Sequence, residues 1–168
     1  MSLHPNVQAV QDALDAAGAV DAAGRPCQVR LLPDAVHTAA AAAAALGIEV
    51  GQIANSLIFN MTSAADANGE PLLVLTSGAH RVDTAKVAAG LGVGALKRAT
   101  PEFVRAHTGQ PIGGVAPLGH PAPVRTLVDT ALASYDEVWA AGGVPQAVFA
   151  ITPKELARIT GGTVTDVA

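Results

Sequence analysis

The chain has 168 residues, is 50% apolar and carries a formal net charge of −4. That length makes one domain, the apolar content excludes a disordered chain, and the acidic balance excludes a protein that holds nucleic acid by bulk charge alone. Alanine supplies much of the apolar fraction and aromatic residues only 3%, so the core is expected to consist of small side chains at close approach.

From the N-terminus, residues 6–17 place Val7, Val10, Leu14 and Ala17 at helical spacing, with Gly18 as a stop. Residues 27–32 (CQVRLL) read as a strand ended by Pro33. Thr38 caps the alanine-rich helix that follows, and Gly47 closes it. Residues 55–61 (NSLIFNM) and 71–76 (PLLVLT) read as a hairpin whose loop contains the turn dipeptide Asn68-Gly69. Asp83 caps the next helix, with Val82 and Val87 at staple positions and Gly92 at its end. Thr100-Pro101-Glu102 opens a further helix that stops at Gly109. Residues 123–128 and 147–151 are strands, and Thr152-Pro153-Lys154-Glu155 is a capping box for a last helix ending before Gly161-Gly162. Short strands and helices without a strict alternation predict a mixed α/β (α+β) domain over 1–168, a central mixed, mostly antiparallel sheet flanked by short helices.

The longest apolar run, 39–46, is far below the roughly 20 residues of a bilayer span, so no membrane segment is expected. The start is polar, without the charged-then-apolar pattern of a signal peptide, and the single cysteine, Cys27, cannot form an internal disulfide. Both features predict a cytoplasmic protein. Cys27 itself reads as a buried, inert thiol.

Charge is unevenly distributed. Residues 1–80 carry two basic and seven acidic side chains, 126–168 carry two and five, and 81–125 carry six and two, so a +4 segment interrupts an acidic chain. Arg81, Lys86, Lys97, Arg98, Arg105 and Arg125 form either an ordinary solvated surface or, if the fold gathers them, a docking patch for an anionic partner. The sequence contains no phosphate-loop, dinucleotide, zinc-protease or serine-hydrolase motif, and its five histidines lack zinc-site spacing. Residues 109–121 (GQPIGGVAPLGHP) hold four glycines and three prolines. This stretch reads as a rigid turn or as a loop whose Gly113 and Gly114 amides receive a carbonyl oxygen, as an oxyanion hole does.

In order along the chain, Thr38 with its alanine helix, 52–59 (QIANSLIF), 72–83 (LLVLTSGAHRVD), the glycine loop, Asp129 at a strand end and Ala141-Gly142-Gly143 resemble the YbaK family of aminoacyl-tRNA deacylases. That family is related to the editing domain of bacterial prolyl-tRNA synthetases. The resemblance spans about residues 35–160, leaving 1–30 as a less typical helix and linker. It implies a trans-editing enzyme that hydrolyses the ester of mischarged tRNA without cofactor, metal or protein nucleophile, the attack coming from a substrate hydroxyl or water. Carried over by position, Gly113, Gly114, Asn55 and Asp129 are its catalytic residues. Thr38, Ser56, His80, Arg81, Val115, Pro117 and Gly142 contact substrate. The implied partner is the acceptor end of a mischarged tRNA, with an aminoacyl-tRNA synthetase as a further one. Asp129 has a second reading, as a cap for the helical stretch after it.

The chain departs from the family pattern where Asn55 stands in the usual place of lysine. Loss of a charged hydrogen bond there costs about 1.5–3 kcal/mol unless another group supplies it, and His80 or Arg81 is the nearest candidate. Ala116 replaces a serine common before the proline. The alternative function is therefore a catalytically weakened module that binds tRNA or an aminoacyl group on the same fold.

Overall fold

The computed structural model describes residues 3–62 and 69–168; Asn68 of the expected Asn68-Gly69 turn lies outside the described residues. Among the described residues five helices form, α1 (Pro5–Ala17), α2 (Ala39–Leu46), α3 (Thr84–Leu91), α4 (Pro101–Thr108) and α5 (Pro153–Thr160). Each begins where a side chain takes up an early backbone N–H. Thr38 accepts from Ala41, Asp83 from Lys86, Thr100 from Phe103 and Thr152 from Glu155, and the His4 ring does the same for Asn6.

Among the described residues eight strands build one mixed sheet: β1 (Arg30–Leu31), β2 (Ile53–Thr62), β3 (Glu70–Ser77), β4 (Ala95–Arg98), β5 (Arg125–Asp129), β6 (Val138–Ala141), β7 (Ala147–Ile151) and β8 (Thr163–Thr165). Their order is β1-β7-β6-β2-β3-β5-β8, with β4 also paired to β2. The β2–β3, β2–β4, β6–β7 and β1–β7 pairs are antiparallel, whereas β2–β6, β3–β5 and β5–β8 are parallel.

The expected strand over 27–32 shrinks to Arg30–Leu31, because the Gln11 side chain pairs with the backbone before it. Gln11 Nε2 donates to Cys27 O at 3.0 Å, and Val29 N donates to Gln11 Oε1 at 2.8 Å. The strand expected from 123 starts at Arg125, after Pro123, which lacks a donor for a ladder. The sequence reading missed β4, β6 and β8, whose three or four residues are too short to show a period of two.

One face of the sheet packs Leu73, Leu75, Phe149 and Ile151 against Val10 and Leu14 of α1, Val104 of α4 and Leu156 of α5. The opposite face sets Met61, Leu72, Val74 and Leu127 against Val87 of α3 and the buried Val167. A smaller cluster joins Ala42 and Ala43 of α2 to Ile53, with Trp139 at its edge. Small alanine side chains let α2 lie close to the sheet.

Strand β2 is forked. On one side β3 accompanies it from Ala54 to Met61. On the other, β6 meets it only at Ile53 and Ala54, and β4 only at Phe59–Thr62. Among the described residues, 55–58 have no strand neighbour on that side, an opening of about 13 Å at the usual rise per residue.

Candidate functional site

Beside 55–58, Gly113 and Val115 of the glycine loop come together with Asn55 and Ser56. A small cavity of about 60 Å³ is lined by Thr38, Ala42, Ile53, Ala54 and Trp139, among others. A broader groove of about 480 Å³ contains Thr76, His80, Arg81, Arg98 and Ile112. Asn55, Ser56, Gly113 and Val115 line both, so the two meet at the fork. Ser56 Oγ is buried there without a hydrogen-bond partner among the described residues. A buried hydroxyl in that state costs about 1–3 kcal/mol.

The loop is braced from behind. Gln110, 2% exposed, receives the Ala116 N–H on Oε1 at 2.7 Å, while its own N–H donates to Thr108 Oγ1 at 3.0 Å. His120 Nε2 donates to Ala116 O at 2.8 Å, and burial holds the His120 pKa below its ordinary value. Gly114 N–H donates to Pro111 O at 3.0 Å, which closes a turn. The Gly114 amide is therefore committed within the loop. Among the described loop residues, the Gly113 and Val115 N–H groups make no such bond, and both residues line the fork. Gly113 has φ +89, a backbone that disfavours any side chain.

Across the sheet, Asn55 lies opposite Thr76, and the β3–β5 register runs on to bring Asp129 beside Thr76. Thus Asn55, Thr76 and Asp129 form a lateral row on one face. Asp129 is 1% exposed. Its Oδ2 accepts from Ser77 N at 2.9 Å and Thr76 Oγ1 at 3.3 Å, and also contacts His80 Nε2. Its Oδ1 accepts from Ala131 N at 2.9 Å and caps the 3-10 turn over Thr130–Ser134. The cap reading of Asp129 holds on Oδ1, while Oδ2 is held among Thr76, Ser77 and His80.

The remaining expected residues divide. Thr38, Ser56, His80, Arg81 and Val115 line the cavity or the groove. Pro117, within the loop, is buried and lines neither the cavity nor the groove. Gly142 is packed away from the fork: its N–H donates to Ala147 O at 2.7 Å, and an added Cβ would meet Val29 Cγ1 at 2.8 Å. The basic segment is only partly gathered. Arg81 and Arg98 share the groove, whereas Lys86 is bound to Asp166 at 2.6 Å and to Ala168 O at 2.8 Å, an ion pair that lowers the Asp166 pKa. Arg125 opens β5 at the end remote from Asp129. The sequence reading missed His37, which lines the cavity beside Gly113, and Gln110. Neither had a signal, since a histidine before a cap and a glutamine after Gly109 gain meaning only from their reach in space.

Cys27 is buried, and burial together with Asp21, Glu155 and Glu137 pushes its thiol up to about 11. Among the described residues no helix is long and apolar enough to cross a membrane.

Known proteins share this architecture. A crystal structure described as that of a candidate trans-editing enzyme for prolyl-tRNA synthetase superposes with a TM-score of 0.86 and 44% identity, covering 99% of this chain and 98% of that one. The proline–tRNA ligase of Nitratidesulfovibrio vulgaris strain DP4 is 34% identical over 106 residues, which are 63% of this chain but only 17% of the ligase. The protein YwhH of Bacillus subtilis strain 168, itself uncharacterized, is 29% identical over 119 residues, 71% of this chain and 72% of that protein. The family model of the aminoacyl-tRNA editing domain matches residues 33–159, and the chain belongs to that family.

Proposed function

We propose that the chain is a trans-acting aminoacyl-tRNA deacylase that hydrolyses the ester of a mischarged tRNA. The observation that carries this reading is the fork in β2, where a small cavity and a broad groove meet under the Gly113 and Val115 amides. In this reading the cavity takes the aminoacyl group and the groove takes the terminal nucleotide. Arg81 and Arg98 then meet phosphate, a local cation pair on an otherwise acidic protein. The ester carbonyl oxygen sits against the two amides, which stabilise the charge that develops as a water or ribose hydroxyl attacks. Asn55 and Ser56, at the seam, orient the ester. The reaction takes place in the cytoplasm, on tRNA released by a synthetase.

Asn55 in the usual place of lysine favours a second reading, a module that binds the charged acceptor end and turns it over slowly. The test is a panel of mischarged tRNAs, each incubated with and without micromolar protein. The deacylase reading expects at least one to be discharged faster with protein present. Binding to the panel with no protein-dependent discharge replaces it with the second reading.

A further inference from the structure

We infer that His80, oriented by the buried Asp129 carboxylate, is the proton acceptor of the groove; this rests on the deacylase reading. Ser77 N, Thr76 Oγ1 and Ala131 N all donate to Asp129. The carboxylate therefore acts as an acceptor, and His80 Nε2 meets it as a donor. A neutral imidazole carries one ring proton, so Nδ1 is left with its lone pair. The His80 side chain is 31% exposed, on the groove that also holds Asn55, Thr76 and Gly113. A carboxylate on one ring nitrogen and an open second nitrogen is the arrangement that holds an imidazole ready to take a proton.

A purely structural role accounts for less. The turn carrying His80 is already closed by the His80 backbone N–H donating to Ser77 O at 3.3 Å, so the ring is not needed to form it. Of the side chains lining the groove, Arg81 and Arg98 stay charged and Asn55, Ser56 and Thr76 do not titrate near neutrality. The charged groups about the ring are Asp129 on β5, Arg81 beside it, Arg98 on β4, and Asp166, which feels His80 electrostatically and is paired with Lys86 of α3. His37, in the neighbouring cavity, is the rival base, but no carboxylate holds its ring among the described residues.

In the step assigned to it, His80 Nδ1 takes a proton from water as the water oxygen bonds to the ester carbonyl carbon. The carbonyl electron pair moves to the oxygen held by the loop amides. On collapse the ester C–O bond breaks, and the leaving ribose oxygen receives the proton back from the imidazolium. The products are a free amino acid and an uncharged tRNA hydroxyl. Asp129 is a positioning residue, since it acts through the ring.

The experiment measures kcat and KM against pH for wild type, His80→Asn and His37→Asn on an aminoacyl-tRNA that the wild type discharges, subtracting the protein-free rate at each pH. Wild-type kcat is expected to rise through one deprotonation and level off. His80→Asn should lose that inflection and roughly 100-fold in plateau kcat with little change in KM, while His37→Asn keeps the inflection. Partial recovery of folded His80→Ala by added imidazole would separate a missing base from a distorted groove. An inflection that persists in His80→Asn, or that disappears in His37→Asn instead, overturns the assignment and leaves the deacylase reading standing. A wild type inactive on every ester removes both.

Discussion

Alanine at Gly114 tests how the glycine loop is seated. An added Cβ would lie 2.6 Å from Val144 Cα and C and 2.9 Å from Pro145 N, all of them backbone atoms just before β7. Backbone cannot rotate aside as a flexible side chain can, so either the loop or the β6–β7 connection must move. Overpacking of this kind costs about 1–3 kcal/mol, which for a domain of this size lowers Tm by about 2–12 °C. Gly113→Ala is the matched comparison. Its Cβ would meet only His37 Nδ1 at 3.5 Å, an ordinary contact, and its cost comes from φ +89, about 1–2 kcal/mol of backbone strain. The two variants therefore probe different things at adjacent positions, collision at 114 and conformation at 113. Thermal unfolding followed by circular dichroism, with deacylation measured in parallel, reads both. Gly114→Ala should lose stability and activity together, because the displaced turn carries the Gly113 and Val115 amides with it. A Gly114→Ala protein that melts within 1 °C of wild type would refute the seating of the loop against Val144 and Pro145 described above.

Asn55→Lys restores a charged donor at the fork and is expected to raise discharge by about 10- to 100-fold, the equivalent of 1.5–3 kcal/mol; an unchanged rate would show that the site does not use a cation there. The His120 pKa is lowered by burial, so the unfolded chain takes up a proton that the folded one refuses. Stability then falls as pH drops below the ordinary histidine value of 6.5, and Tm measured from pH 7 to 5 should decline less in His120→Asn than in wild type. With its thiol near 11, Cys27 is thiolate in only about one molecule in a thousand at pH 8. A thiol reagent should thus label native protein far more slowly than denatured protein, and rapid labelling of the native state would contradict the buried placement.

Much of the fold was legible because its signals are local. Thr38, Asp83, Thr100 and Thr152 each accept from a backbone N–H three residues on, so side-chain chemistry within one turn declares where a helix begins. The β2–β3 hairpin follows from two apolar runs close in sequence. The glycine loop announced itself by composition, and Asn55, Ser56, His80 and Asp129 by position in a recognisable order. What a local signal cannot carry is lateral arrangement. The fork exists because β6 and β4, neither recognised as a strand from sequence, stop short of one another along β2. Asp129 joins the hairpin pair Asn55–Thr76 only through the β3–β5 register, between strands joined by a long connection, and the His80–Asp129 contact spans 49 residues. Composition marked both loop glycines alike, yet only the folded chain commits the Gly114 N–H to Pro111 and leaves the Gly113 and Val115 N–H groups without such a bond, on residues that line the fork. The sequence by itself determined the helices, most of their caps, the longer strands and the family order of residues, since neighbours in the chain decide these. Tertiary structure alone decided which amides, carboxylate and ring share one site, because strand pairing and loop seating are settled by contacts between residues far apart in the chain.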